Sequence, residues 1–291
     1  MELNEFQKRA QKFDQNPKDN EIKDFVIPHF GAIGEVGALI KQFKKRIRDG
    51  KSHTKYKDNI KEILGNLLWY ISNVASKNKF TLEEIASANL IKISERWPGP
   101  DSIICVTAPF DKLFKKSERF PDKLIVDFKE NAKRKRVQVL IGQKKIGNHL
   151  TDNSYADDGY RYHDIFHLSH AAILGWSPVL RALLKRKRKS DPRVDEVEDG
   201  ARAIIIEEII SHLVYDNAKD HKFYYGIKKV DHDLIKTIKS LVSWLEVKAC
   251  TTAEWERAII MGYGVFRKLH KNKGGRVLVS FKDRKVAYLE K

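Results

Sequence analysis

The feature that most limits how this chain can fold is a change in its hydrophobic period. Up to residue 97, apolar side chains recur at helical spacing. Pro98-Gly99-Pro100 then interrupts the pattern, and KLIVDFK (123–129) and RVQVLI (136–141) alternate with period two. One uninterrupted helical bundle cannot accommodate both patterns. The length of 291 residues also suits two domains.

Residues 2–14 read as a short helix, and Asn16-Pro17 through Asp24 as a loop. Pro28 is read as opening a helix to Arg48, with Ile33, Val36, Leu39, Ile40, Phe43 and Ile47 as its stripe; Asp49-Gly50 ends it. A second helix spans 54–76. Thr81-Leu82-Glu83-Glu84 is a capping box that starts a third, ending near Trp97. Helical spacing returns from Asp158 to His270, and Gly274-Gly275 precedes RVLVSF and KVAYLE as a hairpin. The expected fold class is mainly α. An all-α N-terminal domain occupies 1–97, a linker 98–120, and a C-terminal α+β domain 121–291. That second domain is a helical body flanked by β-hairpins that join in one antiparallel sheet.

Lys and Arg number 56 against 39 Asp and Glu, a formal charge of +17. Such an excess suits a polyanionic partner, but it is spread over both halves rather than held in a tail. In the run Lys185–Lys189 the adjoining acids Asp195–Asp199 supply compensation, which makes a nucleic-acid surface the lesser reading. Cys105 and Cys250 are too few for a disulfide framework or a four-cysteine zinc site. No apolar run reaches about 18 residues, and the polar start lacks a signal-peptide core. The expectation is a soluble cytoplasmic protein without a membrane partner.

Two groups of residues carry chemistry. The first is Gly34-Glu35-Val36-Gly37-Ala38-Leu39, then Glu62-Ile63-Leu64-Gly65-Asn66-Leu67-Leu68-Trp69-Tyr70, then Asn89, Lys92 and Arg96. In order and spacing it resembles the MazG-like nucleoside triphosphate pyrophosphohydrolases over residues 1–97. Their pattern is EExxE on one helix, ExxD on the next, and N-x-x-K-x-x-x-R after. Carboxylates three or four apart share a helix face, and facing pairs can ring Mg2+, which takes oxygen ligands. The resemblance implies Mg2+ as cofactor, a nucleoside triphosphate ligand and a homo-oligomer. It also implies Asn89, Lys92 and Arg96 on the substrate side. The acid positions, however, hold Gly34, Glu35, Ala38, Ile63 and Asn66. Glu35 remains, with Glu62 beside the motif and Asn66 as a neutral ligand. The expectation is impaired or absent hydrolysis with nucleotide recognition retained. By analogy, such a degenerate site fused to another domain suits a sensor that serves an effector protein in anti-phage defence.

The second group is His163, Asp164, His167 and His170 at helical spacing, with Glu207-Glu208 inside the apolar run AIIIEEII. A carboxylate in such a run is paired or functional, because burying it alone is costly. His163, His167, Glu207 and Glu208 are candidates for a second divalent metal. His163, Asp164 and His167 are candidates for catalysis. HDIFH also resembles the dyad of HD-type phosphohydrolases, whose distant partners would be His149 and Asp216. Buried histidines bonded to carboxylates, with no ligand, are the structural alternative. Asp152–Leu168, Gly175–Ala203 and Thr252–Ile259 resemble segments of the MazG C-terminal domain.

Overall fold

The computed structural model describes residues 1–15, 21–96 and 108–290. The chain forms two compact units, Met1–Trp97 and Pro98–Lys291. The loop expected at Asn16-Pro17 and the break at Pro98-Gly99-Pro100 lie outside the described residues, as does Cys105.

In the first unit, helix α1 (Leu3–Ala10) precedes α2 (Glu21–Asp49), α3 (Tyr56–Lys77) and α4 (Leu82–Arg96). The expected start at Pro28 is corrected, because α2 begins at Glu21 and runs through the proline. Proline leaves the carbonyl four residues back without its helical donor. That residue is Asp24, whose carboxylate pairs with Lys77 of α3, so the neighbouring helix holds the turn. Helices α2 and α3 pack antiparallel. Gln42 meets His53 and Asn59, Glu35 meets Asn66, and Asp24 meets Lys77. At Gly31 a Cβ would lie 2.2 Å from the Tyr70 ring, so only glycine lets the two helices come this close. Buried Gln7 of α1 ties the bundle together. Its amide donates to Ser76 Oγ and the Phe80 carbonyl, and its oxygen accepts from Leu82 N–H. The Thr81/Glu84 capping box forms at the start of α4.

In the second unit, β1 (Lys123–Asn131), β2 (Arg136–Ile141) and β3 (Lys144–Leu150) precede α5 (Asp164–Leu174), α6 (Pro178–Leu184), α7 (Pro192–Val197) and α8 (Ala201–Asp220). They are followed by α9 (His232–Leu241), α10 (Thr252–Lys271), β4 (Gly274–Ser280) and β5 (Lys285–Leu289). The strands make one five-stranded antiparallel sheet of order β3-β2-β1-β4-β5. Val126 of β1 faces Ile141 of β2 and Val277 of β4, so the two hairpins join at their first strands. The edge strand β3 was not expected. KKIGNHL shows no clean alternation, because an edge strand packs little of itself and Gly147 takes a positive φ there.

One sheet face contributes Val126, Phe128, Val137, Val139, Val277 and Val279 to the core. Helix α5 is buried on every side from Ile165 to Leu174, so its polar His167, Ser169 and His170 are buried along with its apolar residues. Trp255 of α10 is fully buried, whereas Trp244 lies in a turn under the Arg202 guanidinium. The expected linker is corrected over 109–120. Asp111 accepts from Arg181 at 2.9 Å, and Phe120 stacks on Phe281 and under the Arg181 guanidinium. This stretch is therefore part of the second unit.

Candidate functional site

The first constellation stays open and weakly acidic. Glu35 on α2 faces Asn66 on α3, and Asn66 Nδ2 donates to Glu35 Oε1 at 3.1 Å. Ile63 is buried in the helical interface, while Glu62 next to it is exposed. Asn89 and Lys92 are exposed on α4, and the side chain of Arg96 lies outside the described residues. Glu35, Glu62 and Asn66 do not fit the acid ring of a two-Mg2+ centre. The surviving carboxylate already has an amide donor, and among the described residues no third His, Cys or acid joins them in a ligand-like cluster.

The second constellation is a compact, buried cluster. Gly159 adopts φ +85, and a Cβ there would strike the His270 ring at 2.5 Å. The chain then makes a 3-10 turn over Tyr160–Tyr162, which leaves His163 at the N-cap of α5. His167 and His170 follow on the same helix. Glu207 and Glu208 come from α8. His167 Nδ1 lies 2.9 Å from Glu207 Oε1, and His170 Nδ1 lies 3.4 Å from the same oxygen. The other oxygen of Glu207 accepts from the Val179 N–H at 2.9 Å, in the first turn of α6. Glu208 Oε1 stands 3.5 Å from His167 Nε2, which is buried and has no hydrogen-bond partner.

These contacts fix the role of each Nδ1. An ionised carboxylate and a carbonyl can only accept, so His167 donates from Nδ1 to Glu207. By the same rule His163 donates from Nδ1 to the Tyr160 carbonyl at 2.9 Å. Tyr160 also stacks on His163, with ring centroids 4.4 Å apart. Electrostatics follow from the packing. Burial opposes charge on both histidines and wins at His163, which is held below its usual value. At His167 the charge and hydrogen bond of Glu207, with the nearby Glu208 carboxylate, outweigh burial and hold it well above. Burial likewise opposes ionisation of Glu207, but His167 and then His170 bring its carboxyl down to about 2. Burial pushes the Tyr160 hydroxyl up to about 12, with Glu208 and Asp164 adding to it.

The fold thus brings together His163, His167, Glu207 and Glu208, with His170 as a fifth member. Asp164 is adjacent, 3.6 Å from His163 Nε2, but belongs to neither ligand-like triad. The distant partners expected for an HD-type dyad do not join the cluster. His149 is exposed on β3, and exposed Asp216 pairs with His212 and Lys219. Arg161 does not reach Glu207. It is buried among Glu130, Asp152 and Asp157.

A second buried polar network was only partly legible. In the basic run, Arg188 is buried and binds Asp199 and Glu246 through both guanidinium edges. Arg186 donates to the carbonyls of Lys116 and Arg119. The Arg188–Asp199 pair was signalled by the adjoining acidic run. Glu246 and Asp111 carry no local signal, because they are distant in sequence.

Residues 106–291 match the model of the MazG C-terminal domain, and the chain belongs to that family. The Gene 37 protein of Mycobacterium phage L5 is 29% identical over 68 residues, 23% of this chain. The chain spans 60% of that relative's length. No solved structure matches the chain. No helix among the described residues is long and apolar enough to cross a membrane.

Proposed function

We propose that this MazG-like protein binds nucleoside triphosphates as a sensor, with weak or no pyrophosphohydrolase activity in its first unit. The observation that carries this reading is the Asn66–Glu35 hydrogen bond. In the MazG-like pattern position 66 holds an acid, and two facing carboxylates need a cation between them. An amide donor satisfies Glu35 without one. Buried Ile63 removes a further ligand. Exposed Asn89 and Lys92 remain on α4 to meet base and phosphates, with Arg96 next in the same pattern.

In this reading the working form is a homo-oligomer. The apolar stripe of α2 is open to solvent, with Ile33 67%, Ile40 55% and Ile47 82% exposed, and a second copy covers it. The bound nucleotide would then be reported to an effector protein, and phage infection is one condition that alters nucleotide pools. The test is the purified chain with a panel of canonical and modified nucleoside triphosphates and Mg2+ or Mn2+. Saturable binding without turnover is the expected result. Pyrophosphate release that disappears in Glu35→Gln would overturn the reading.

A second reading, an active phosphohydrolase in the second unit, is favoured by the convergence of His163, His167 and Glu208. Turnover lost in His163→Ala but kept in Glu35→Gln would establish it. A nucleic-acid role for the basic run is weakened by the internal partners of Arg186 and Arg188. Duplex binding that falls steeply with salt would restore it.

A further inference from the structure

We propose that His163, His167 and Glu208 form a binding site for one divalent first-row transition metal ion, with Glu207 as the positioning carboxylate behind His167. The inference is independent of the nucleotide reading above.

The chemistry of the donors points to the ligand. Each of the two histidines commits Nδ1–H to an acceptor that cannot donate, His167 to Glu207 and His163 to the Tyr160 carbonyl. Each therefore has Nε2 left as its second ring nitrogen, and at His167 a bound cation would take the place of the proton that faces Glu208. At His167 this atom is buried, lacks a hydrogen-bond partner and lies beside Glu208 Oε1. A carboxylate or carbonyl bound to the far nitrogen is the usual support of a ligating imidazole, because it fixes the ring and raises its basicity. Glu207 is itself pinned by the Val179 N–H, so the support is rigid.

Distances agree with one ion. The three ligand atoms lie within 4.8 Å of one another. Two ligands about 2.1 Å from one ion stand at most about 4.2 Å apart. The His167–Glu208 pair, at 3.5 Å, already meets this limit, and small side-chain shifts at His163 and half-exposed Glu208 would close the set. Two imidazoles and one carboxylate suit zinc, cobalt, manganese or iron better than Mg2+, which prefers all-oxygen surroundings. His170 and Glu207 form the other triad with His167, but the Nδ1 hydrogen of His167 occupies the 2.9 Å gap to Glu207. That triad supports the ligands rather than supplying them. The half-exposed position of Glu208 places the open side of the site toward solvent.

The test uses the full chain, stripped with chelator and titrated with Co2+, followed by visible absorption and elemental analysis. One Co2+ per chain is expected, with ligand-field bands of a nitrogen–oxygen site, and Zn2+ should displace it. Glu208→Gln lies at the rim, so it should fold normally by circular dichroism and weaken Co2+ binding about tenfold or more. His163→Ala should weaken it further, and Glu207→Gln should shift the Co2+ bands as well as the affinity. His149→Ala, on the exposed edge strand, should leave uptake unchanged. The proposal is overturned by absence of stoichiometric Co2+ uptake, by uptake unaltered in both Glu208→Gln and His163→Ala, or by uptake lost in His149→Ala.

Discussion

The two units solve the same burial problem to different degrees. The second surrounds α5 with helices on one side and a sheet on the other. Its described core includes Trp176, Trp255, Phe128, Phe266 and Tyr263, all nearly inaccessible. The described core of the first unit is small: Ala10, Ile63, Ala75 and Leu82, with Gln7, His53, Ser72 and Asn73 as buried polar neighbours. Along α2 and α4, meanwhile, Phe30, Ile33, Ile47, Leu90 and Ile91 remain exposed. An amphipathic stripe is thus only half of a core. It becomes one when another surface covers it. The second unit carries its own covering layers, and the first leaves its stripe open to solvent, where the proposed homo-oligomer would cover it.

The sharpest way to break this comparison is to damage the closed core. Trp255→Ala should cost about 3–5 kcal/mol by removing a fully buried indole. Arg188→Ala should cost a similar amount, about 3–5 kcal/mol, since Asp199 and Glu246 would lose their shared guanidinium, with only Arg181 left at 3.6 Å from Asp199. Denaturant unfolding would measure both, with midpoints independent of protein concentration. A concentration-dependent midpoint for this transition would mean that the second unit borrows part of its core from another copy.

The counterpart in the first unit is Ile40→Glu with Phe43→Glu. These positions are exposed, so the helices should persist, while self-association should weaken about tenfold or more by sedimentation velocity. Unchanged association would place the homo-oligomer contact elsewhere or remove it.

A smaller effect compares two capping boxes. Thr251 and Glu254 cap α10 with Glu254 buried and bonded to Arg284, whereas Glu84 of the Thr81 box is open to solvent. Thr251→Ala should cost about 1 kcal/mol, and Thr81→Ala should lower thermal stability less. Equal losses would show that burial of the cap does not matter here.

The smallest is a pH effect at the surface of the second unit. Hydrogen bonds from Lys135 and then Arg161 hold the Asp157 carboxyl down at about 2, against an ordinary 3.8. A depressed acid stabilises the fold fully above its unfolded value and loses that contribution as pH falls. Asp157→Asn should therefore flatten the acid-unfolding profile between about pH 4 and 2. An unaltered profile would show that these bonds add nothing in solution.

Much of the fold was legible because it is written in local periods. The stripe of α2, the Thr81 box and the strands around Val126, Val139 and Val277 each follow from spacing over a few residues. Strand β3 was missed because an edge strand needs little apolar alternation. The start of α2 was misplaced because proline reads as a helix opener unless a distant Lys77 supports the turn before it. At the site, His163, His167 and His170 were visible as one helix face. Which of Glu207 and Glu208 supports a histidine and which faces solvent depends on the rotation of α8, which no local pattern encodes.

By itself the sequence determined the helical character of both halves, the shift to strands after residue 121, and the non-acidic residues Gly34, Ala38, Ile63 and Asn66 on the first two long helices. Those are properties of residue type and spacing. Tertiary structure decided which groups lost water together. It seated Asn66 on Glu35, sent Arg188 inward to Asp199 and Glu246, and locked His167 between two carboxylates of α8. Partners distant along the chain meet only when packing brings them together, and the strength of their interaction depends on the burial that packing creates.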